Sequence, residues 1–268
     1  AKATVVMVPG YTATLDMYGE HIGDMAARGY HVVGFDLRGQ GGSERPRLGQ
    51  PEKLLIDDFR RYSDELAGFI GTLDVPKGRP LIVLGSSFGG HVAFRMAGHY
   101  PNISDGLLLL APALEPKAGD LSFDEAQRLI QWGRRLGKDT RYMPGNGNWK
   151  PASEDDLRRA GIEHCASNPD RLPNRDVIFT RIPEQRVGGV TFQWGGEFYE
   201  SSAYVRAPGY AESITQPVTM IHAELDNFVE TDVNKDVCDR RMSDCQSVPI
   251  VGGGHCLLQE SDDILAQL

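Results

Sequence analysis

Apolar runs and amphipathic stretches alternate along the first half of this chain. "ATVVMVPG" (3–10) is apolar up to a Pro-Gly turn and predicts a buried strand. "YGEHIGDMAARGY" (18–30) puts Ile22, Met25 and Ala26 on one helical face, with Gly29 as the stop. A second strand over 31–39 leads to a second helix over 56–73, where Phe59, Tyr62, Leu66, Phe69 and Ile70 recur at helical spacing. "PLIVLGS" (80–86) is a third strand, 89–101 a third helix ended by Pro101, and "DGLLLLAPA" (105–113) a fourth strand. Strands this uniformly apolar, alternating with helices, predict an α/β fold: a mostly parallel central sheet covered by helices on both faces.

The alternation stops at Leu114. Amphipathic helices are expected over 122–137, 153–166 and 174–185, joined by loops such as "MPGNGNWKP" (143–151). All three tryptophans, Trp132, Trp149 and Trp194, fall in this region. From Pro217 a strand (217–224), a helix (233–242) and a strand (245–253) restore the pattern. The expected organisation is a core of residues 1–113 and 212–268, interrupted by a helical cap over 114–211. Open α/β sheets bind ligands beyond the carboxyl ends of their strands, so the cap is expected to form a lid there.

Composition narrows the partners. Of the 268 residues, 40% are apolar and 24% charged, as in an ordinary soluble globular protein. A net charge of −9 with no Lys/Arg-rich run argues against nucleic acid and against electrostatic docking on anionic lipid. The longest apolar runs, such as "GLLLLAPAL" (106–114), are too short for a transmembrane segment. "AKATVVMVPG" at the start lacks the basic-then-apolar order of a secretion signal, although without an initial Met it leaves export unread. Cys165, Cys238, Cys245 and Cys256 have no metal-ligand spacing. Cys238 and Cys245 stand close enough in sequence for a local disulfide; the plainer expectation is buried free thiols in a reducing cytoplasm.

The chemistry is carried by Gly85-Ser86-Ser87-Phe88-Gly89, which fits G-x-S-x-G between a strand and a helix. At so sharp a turn the positions two before and two after the nucleophile crowd together. Only Ser87 has glycines at both; Ser86 has Leu84 and Phe88 there. A serine hydroxyl needs a base, and the base an orienting carboxylate. His255, in "GGGHCLL" at the tip of the last strand, is the expected base, whereas His222 lies within a strand run and reads as a core histidine. Asp226, just past the preceding strand end, is the expected acid, ahead of Glu224. Oxyanion donors are expected from the N–H groups of Phe88 and Tyr11, with Thr12 as a side-chain helper. Asp36 and Arg38 in "FDLRGQGGSE" (35–44) read as loop-fixing rather than catalytic. No phosphate-binding loop, dinucleotide fingerprint or zinc motif is present, so neither metal nor cofactor is expected.

Taken together, "VPGYTAT", "GFDLRGQGGSERP", "GSSFGG", "HAELDNFV" and "GGGHCLLQE" resemble the α/β-hydrolase superfamily, in its monoacylglycerol lipase, lysophospholipase and serine-aminopeptidase-like branch. "NPDRLPNRDVIF" and "RVGGVTFQW" resemble cap segments of bacterial lysophospholipases. The resemblance covers nearly the whole chain. It implies a Ser87, Asp226 and His255 triad, with Tyr11 and Phe88 at the oxyanion hole. "PGYT" stands where many relatives have His-Gly, and Cys256 where an acidic residue often follows the histidine. The strand hairpin that precedes the first strand in relatives, and their longer final helix, are not seen. The implied partner is a small-molecule acyl ester, favoured as a monoacyl lipid. Aromatic residues of the cap, Trp132 and Trp194 among them, are candidates for the acyl pocket as well as for packing the cap itself. Small esters, N-terminal peptide bonds, acyl transfer and a non-catalytic binding role are the alternatives.

Overall fold

The computed structural model describes residues 1–45, 49–156, 158 and 165–268. Six strands form one parallel sheet: β1 (Thr4–Val8), β2 (His31–Gly34), β3 (Leu81–Ser86), β4 (Gly106–Leu110), β5 (Val218–Ala223) and β6 (Cys245–Ile250), in the order β2-β1-β3-β4-β5-β6. The inner strands are nearly all buried, which explains their unbroken apolar runs. The edge strands β2 and β6 are half exposed, and β6 carries Pro249, whose missing N–H an edge tolerates. After β1 the chain adds β2 on one side and then crosses to add β3 on the other. The order therefore reverses between β1 and β3, and a crevice opens at their carboxyl ends.

Helix α1 (Gly19–Ala27) joins β1 to β2, α2 (Arg60–Ile70) joins β2 to β3, and α3 (Phe88–His99) joins β3 to β4. Residues Phe88 to Ala97 of α3 are all buried, so this helix is the centre of the core. The β4–β5 connection carries, among the described residues, the helices α4 (Phe123–Arg135), α5 (Asn174–Arg181) and α6 (Phe192–Arg206), besides the helical residues 154–156 and 158. Ser122 and Glu125 form a capping box at the start of α4, and Ala126, Ile130 and Gly133 are its buried stripe. Helix α7 (Thr231–Asp236) joins β5 to β6, and α8 (Asp262–Leu265) follows β6.

Several boundaries differ from expectation. The second strand stops at Gly34 because Phe35 onward turns into a loop cinched by Asp36, whose carboxylate accepts from Leu15 N–H (3.0 Å) and Gly42 N–H (3.0 Å). The helix expected over 233–242 ends at Asp236 and runs into a π-type turn over Val237–Arg241. Of the helix expected over 153–166, residues 154–156 and 158 are helical and 157 and 159–164 lie outside the described residues. The expectation of free thiols is corrected: Cys238 pairs with Cys245, and Cys165 pairs with Cys256 across 91 positions. No helix among the described residues is long and apolar enough to cross a membrane.

Candidate active site

Ser87 sits between β3 and α3 with φ +51° and ψ −115°, in left-handed backbone that costs a non-glycine residue about 1–3 kcal/mol. The surroundings enforce it. Ser87 N–H donates to Leu110 O (2.8 Å), and Ser87 O accepts from the N–H groups of His91 and Ala113 (both 3.0 Å). A Cβ on Gly85 would lie 2.7 Å from Gly89 O, and one on Gly89 only 2.3 Å from Val8 O. The glycine spacing is thus a packing requirement of backbone against backbone.

Ser87 Oγ lies 2.8 Å from His255 Nε2, and His255 Nδ1 lies 2.7 Å from Asp226 Oδ2. The carboxylate partner makes Nδ1 the donor, which leaves Nε2 as the acceptor of a hydrogen bond from the Ser87 hydroxyl. The Asp226 side chain is fully buried. Its Oδ1 accepts from Phe228 N–H (2.8 Å) and Val229 N–H (3.0 Å), and its main-chain oxygen accepts from Lys117 Nζ (2.7 Å). Ser87, Asp226 and His255 are therefore brought into one hydrogen-bonded line. Glu224 faces elsewhere, accepting from Gly252 N–H. His222 is buried in β5 against Ser247, and desolvation pushes its pKa down to about 4. Ser86 remains in the β3 ladder opposite Leu110.

The turn after β1 closes on the serine: a Cβ on Gly10 would lie 3.2 Å from Ser87 Cβ. Tyr11, Thr12 and Phe88 line the same cavity as the serine. Among the described residues, neither Tyr11 N–H nor Phe88 N–H donates a hydrogen bond within the protein. Thr12 has φ +58°, and its N–H is held by Gln40. The Tyr11 ring packs on Trp194, with centroids 4.5 Å apart, and burial holds its hydroxyl well above the usual tyrosine pKa. Asp36 and Arg38 stay out of the site, Arg38 pairing with Glu44 and Glu65.

Above the serine lies a cavity of about 910 Å³ bounded by the strand-end loops and by residues of α4 and α6. Trp194, Phe198 and Tyr199 line it, as do Phe192, Ile130 and Trp132. Trp194 is buried, stacked on Phe198 and donating from Nε1 to Tyr62 Oη (3.1 Å), whereas Trp132 is 61% exposed at the rim. Tyr142, Trp149 and Tyr204 do not line the cavity. Trp149 instead donates to Asp176 (3.0 Å) and packs on Phe179. Among the described residues, no group of His, Cys, Asp and Glu is placed to hold a metal ion.

Sequence reasoning missed the ties that hold the histidine loop. Glu260 is fully buried; its carboxylate accepts from Gly254 N–H (2.7 Å), Ser167 N–H (2.8 Å) and Ser167 Oγ. The Cys165–Cys256 disulfide and the bond from Cys256 N–H to Cys165 O (2.5 Å) lie beside it. Arg171 donates to Glu260 O (2.6 Å) and pairs with Glu20 and Asp262. No local spacing links Ser167 to Glu260, 93 positions apart, so no pattern signalled these contacts.

This topology, with its strained turn at Ser87, is that of the α/β-hydrolase fold. Solved structures with the same fold include a soluble variant of monoglyceride lipase from Saccharomyces cerevisiae, with a TM-score of 0.73 and 18% identity over 99% of this chain and 83% of that one. A monoacylglycerol lipase from Paleococcus ferrophilus gives a TM-score of 0.72 and 18% identity over 98% and 90% of the two chains. A lysophospholipase L2 of Escherichia coli (strain K12) is 27% identical over 252 residues, covering 93% of this chain and 70% of that protein. The Hydrolase_4 family, described as serine aminopeptidase S33, matches residues 1–262. The chain belongs to that family and is a hydrolase.

Proposed function

We propose that the chain hydrolyses the carboxylic ester of a single-chain lipid through an acyl-enzyme on Ser87. The hydrogen-bonded line of Ser87, His255 and Asp226 beneath an apolar cavity supports this reading most directly. Ser87 Oγ attacks the ester carbonyl while His255 Nε2 takes its proton, and Asp226 stabilises the imidazolium that forms. The carbonyl oxygen, now negative, turns toward the N–H groups of Tyr11 and Phe88, which have no competing partner among the described residues. Collapse expels the alcohol, which takes its proton from His255. Water, deprotonated by the same histidine, then releases the fatty acid.

The substrate class follows from the cavity and the curated relative. Residues 114–211 act as a cap whose inner face, with Trp194, Phe198 and Ile130, is shaped for one acyl chain. Ester cleavage on a monoacyl phospholipid is what the Escherichia coli relative's name describes, and a monoacylglycerol offers the same chain and bond. The expected compartment is the cytoplasm, with the periplasm and secretion left open; the pairing of all four cysteines favours the oxidising alternatives.

An acyl-length series of monoacyl glycerol and glycerophospholipid esters tests the substrate, with Ser87→Ala as the blank. We expect kcat/KM to rise with chain length and diacyl lipids to be poor substrates. Highest turnover on acetyl esters or on aminopeptide substrates would reject the lipid assignment.

A further inference from the structure

From its sequence the loop after β2 reads as a structural strand-end loop. Its Gln40 side chain is nevertheless completely buried next to the turn that follows β1. Gln40 Nε2 donates to Gly10 O (3.0 Å), and Gln40 Oε1 accepts from Thr12 N–H (2.8 Å). These two contacts straddle Tyr11. Gly10 O and Tyr11 N–H belong to one peptide unit, and the chain contains no cis peptide among the described residues. In a trans peptide the C=O and N–H point in opposite directions. Anchoring Gly10 O on Gln40 therefore turns Tyr11 N–H away from Gln40. The second contact holds Thr12 in its left-handed conformation, φ +58°, which an L-residue leaves readily without such support.

Resting on the reading that Tyr11 N–H receives the oxyanion, we infer that Gln40 is the positioning residue for that donor. A primary amide has both the donor and the acceptor that the two contacts need, whereas an ionised carboxylate of the same length has no donor. A carboxylate would repel Gly10 O, and an aliphatic side chain would satisfy neither group. The energetic logic is preorganisation: a donor aimed before reaction loses nothing to reorientation as charge develops on the carbonyl oxygen. Ground-state binding in the apolar cavity does not depend on that aim. The effect should therefore fall on kcat and spare KM.

The test compares the wild-type protein with Gln40→Met, which keeps the volume, and Gln40→Glu, which keeps the shape. Steady-state kinetics on a chromogenic monoacyl ester would be read with the affinity for a trifluoromethyl ketone, whose adduct places an oxyanion in the hole. A non-hydrolysable ether analogue reports ground-state binding. We expect kcat to fall about 10–100-fold with KM within about 2-fold, below the loss from deleting a donor outright. Ketone affinity should weaken by the same factor as kcat, with ether affinity unchanged. In Gln40→Glu, activity relative to wild type should recover as pH falls, because the protonated carboxyl regains a donor for Gly10 O. Unchanged kcat or ketone affinity in a folded variant, a loss shared equally by ether and ketone, or failure of both variants to fold overturns the role. A fluorophosphonate adduct away from Ser87 in the wild-type protein would instead remove the nucleophile assignment itself.

Discussion

Ser87 and His255 meet at 2.8 Å but are held by opposite means. The serine side is built from backbone. Its glycines, the left-handed turn and main-chain hydrogen bonds to Leu110, His91 and Ala113 leave little room for adjustment. The histidine side is held by side chains that reach far along the chain: Glu260 to Ser167, Cys256 to Cys165, and Arg171 to Glu20 and Asp262. The Ser87 side should therefore fail through steric change, and the His255 side through chemistry acting on its supports.

The largest effect should come from Gly89→Ala. The new Cβ would meet Val8 O at 2.3 Å and Pro9 O at 2.5 Å, backbone atoms that cannot move aside cheaply. Misplacing a reacting group by about 1 Å costs on the order of 10²-fold in rate, so kcat should fall at least that far. A near-normal kcat would show that the turn is softer than its packing indicates.

Next comes the contrast between the two disulfides. Cys165–Cys256 closes a separation of 91 residues and Cys238–Cys245 one of 7. Chain entropy then assigns about 4–5 kcal/mol to the first and about 2 kcal/mol to the second. Denaturant unfolding of the two paired Cys→Ser variants checks this order. Loss of the long bridge should also lower kcat, because it frees the residue after His255. Equal stability losses with unchanged kcat would remove the distinction between the two sides.

The smallest effect separates His255 from His91 and His222. Burial holds His91 at about 3 and His222 at about 4, so both are neutral when folded. Their unfolded pKa is near 6.5. A depressed folded pKa contributes stability that is fully present above 6.5 and declines as pH falls toward the folded value. For His222 the decline is at most about 1.4 kcal/mol per pH unit between 6.5 and 4. His222→Gln should flatten the acid limb of a stability–pH curve by up to that slope, while the pH profile of kcat stays where it was. A shift in the kcat profile would place His222 in the chemistry.

Legibility in the sequence followed the same division. The strand–helix alternation and the glycines around Ser87 are local signals, because each reports what its neighbours in sequence can tolerate. Helix α6 was not legible. Trp194, Phe198, Tyr199, Ser201, Ser202 and Val205 are buried around it, so no single stripe marks the helix, and Gly195 and Gly196 weaken its propensity. Gln40 was not legible either, since one glutamine in a polar glycine-rich loop looks like any solvated residue until the fold buries it. The Cys165–Cys256 pairing depends on how the residues between β4 and β5 return to the loop after β6, which no spacing encodes.

We propose Ser87, one serine of the adjacent pair, as the nucleophile. Mapping a fluorophosphonate adduct by peptide mass spectrometry on the wild-type, Ser86→Ala and Ser87→Ala proteins tests it most directly. A single adduct on Ser87 is expected, retained in Ser86→Ala and absent from Ser87→Ala. An adduct on Ser86, or one that survives in Ser87→Ala, would contradict it.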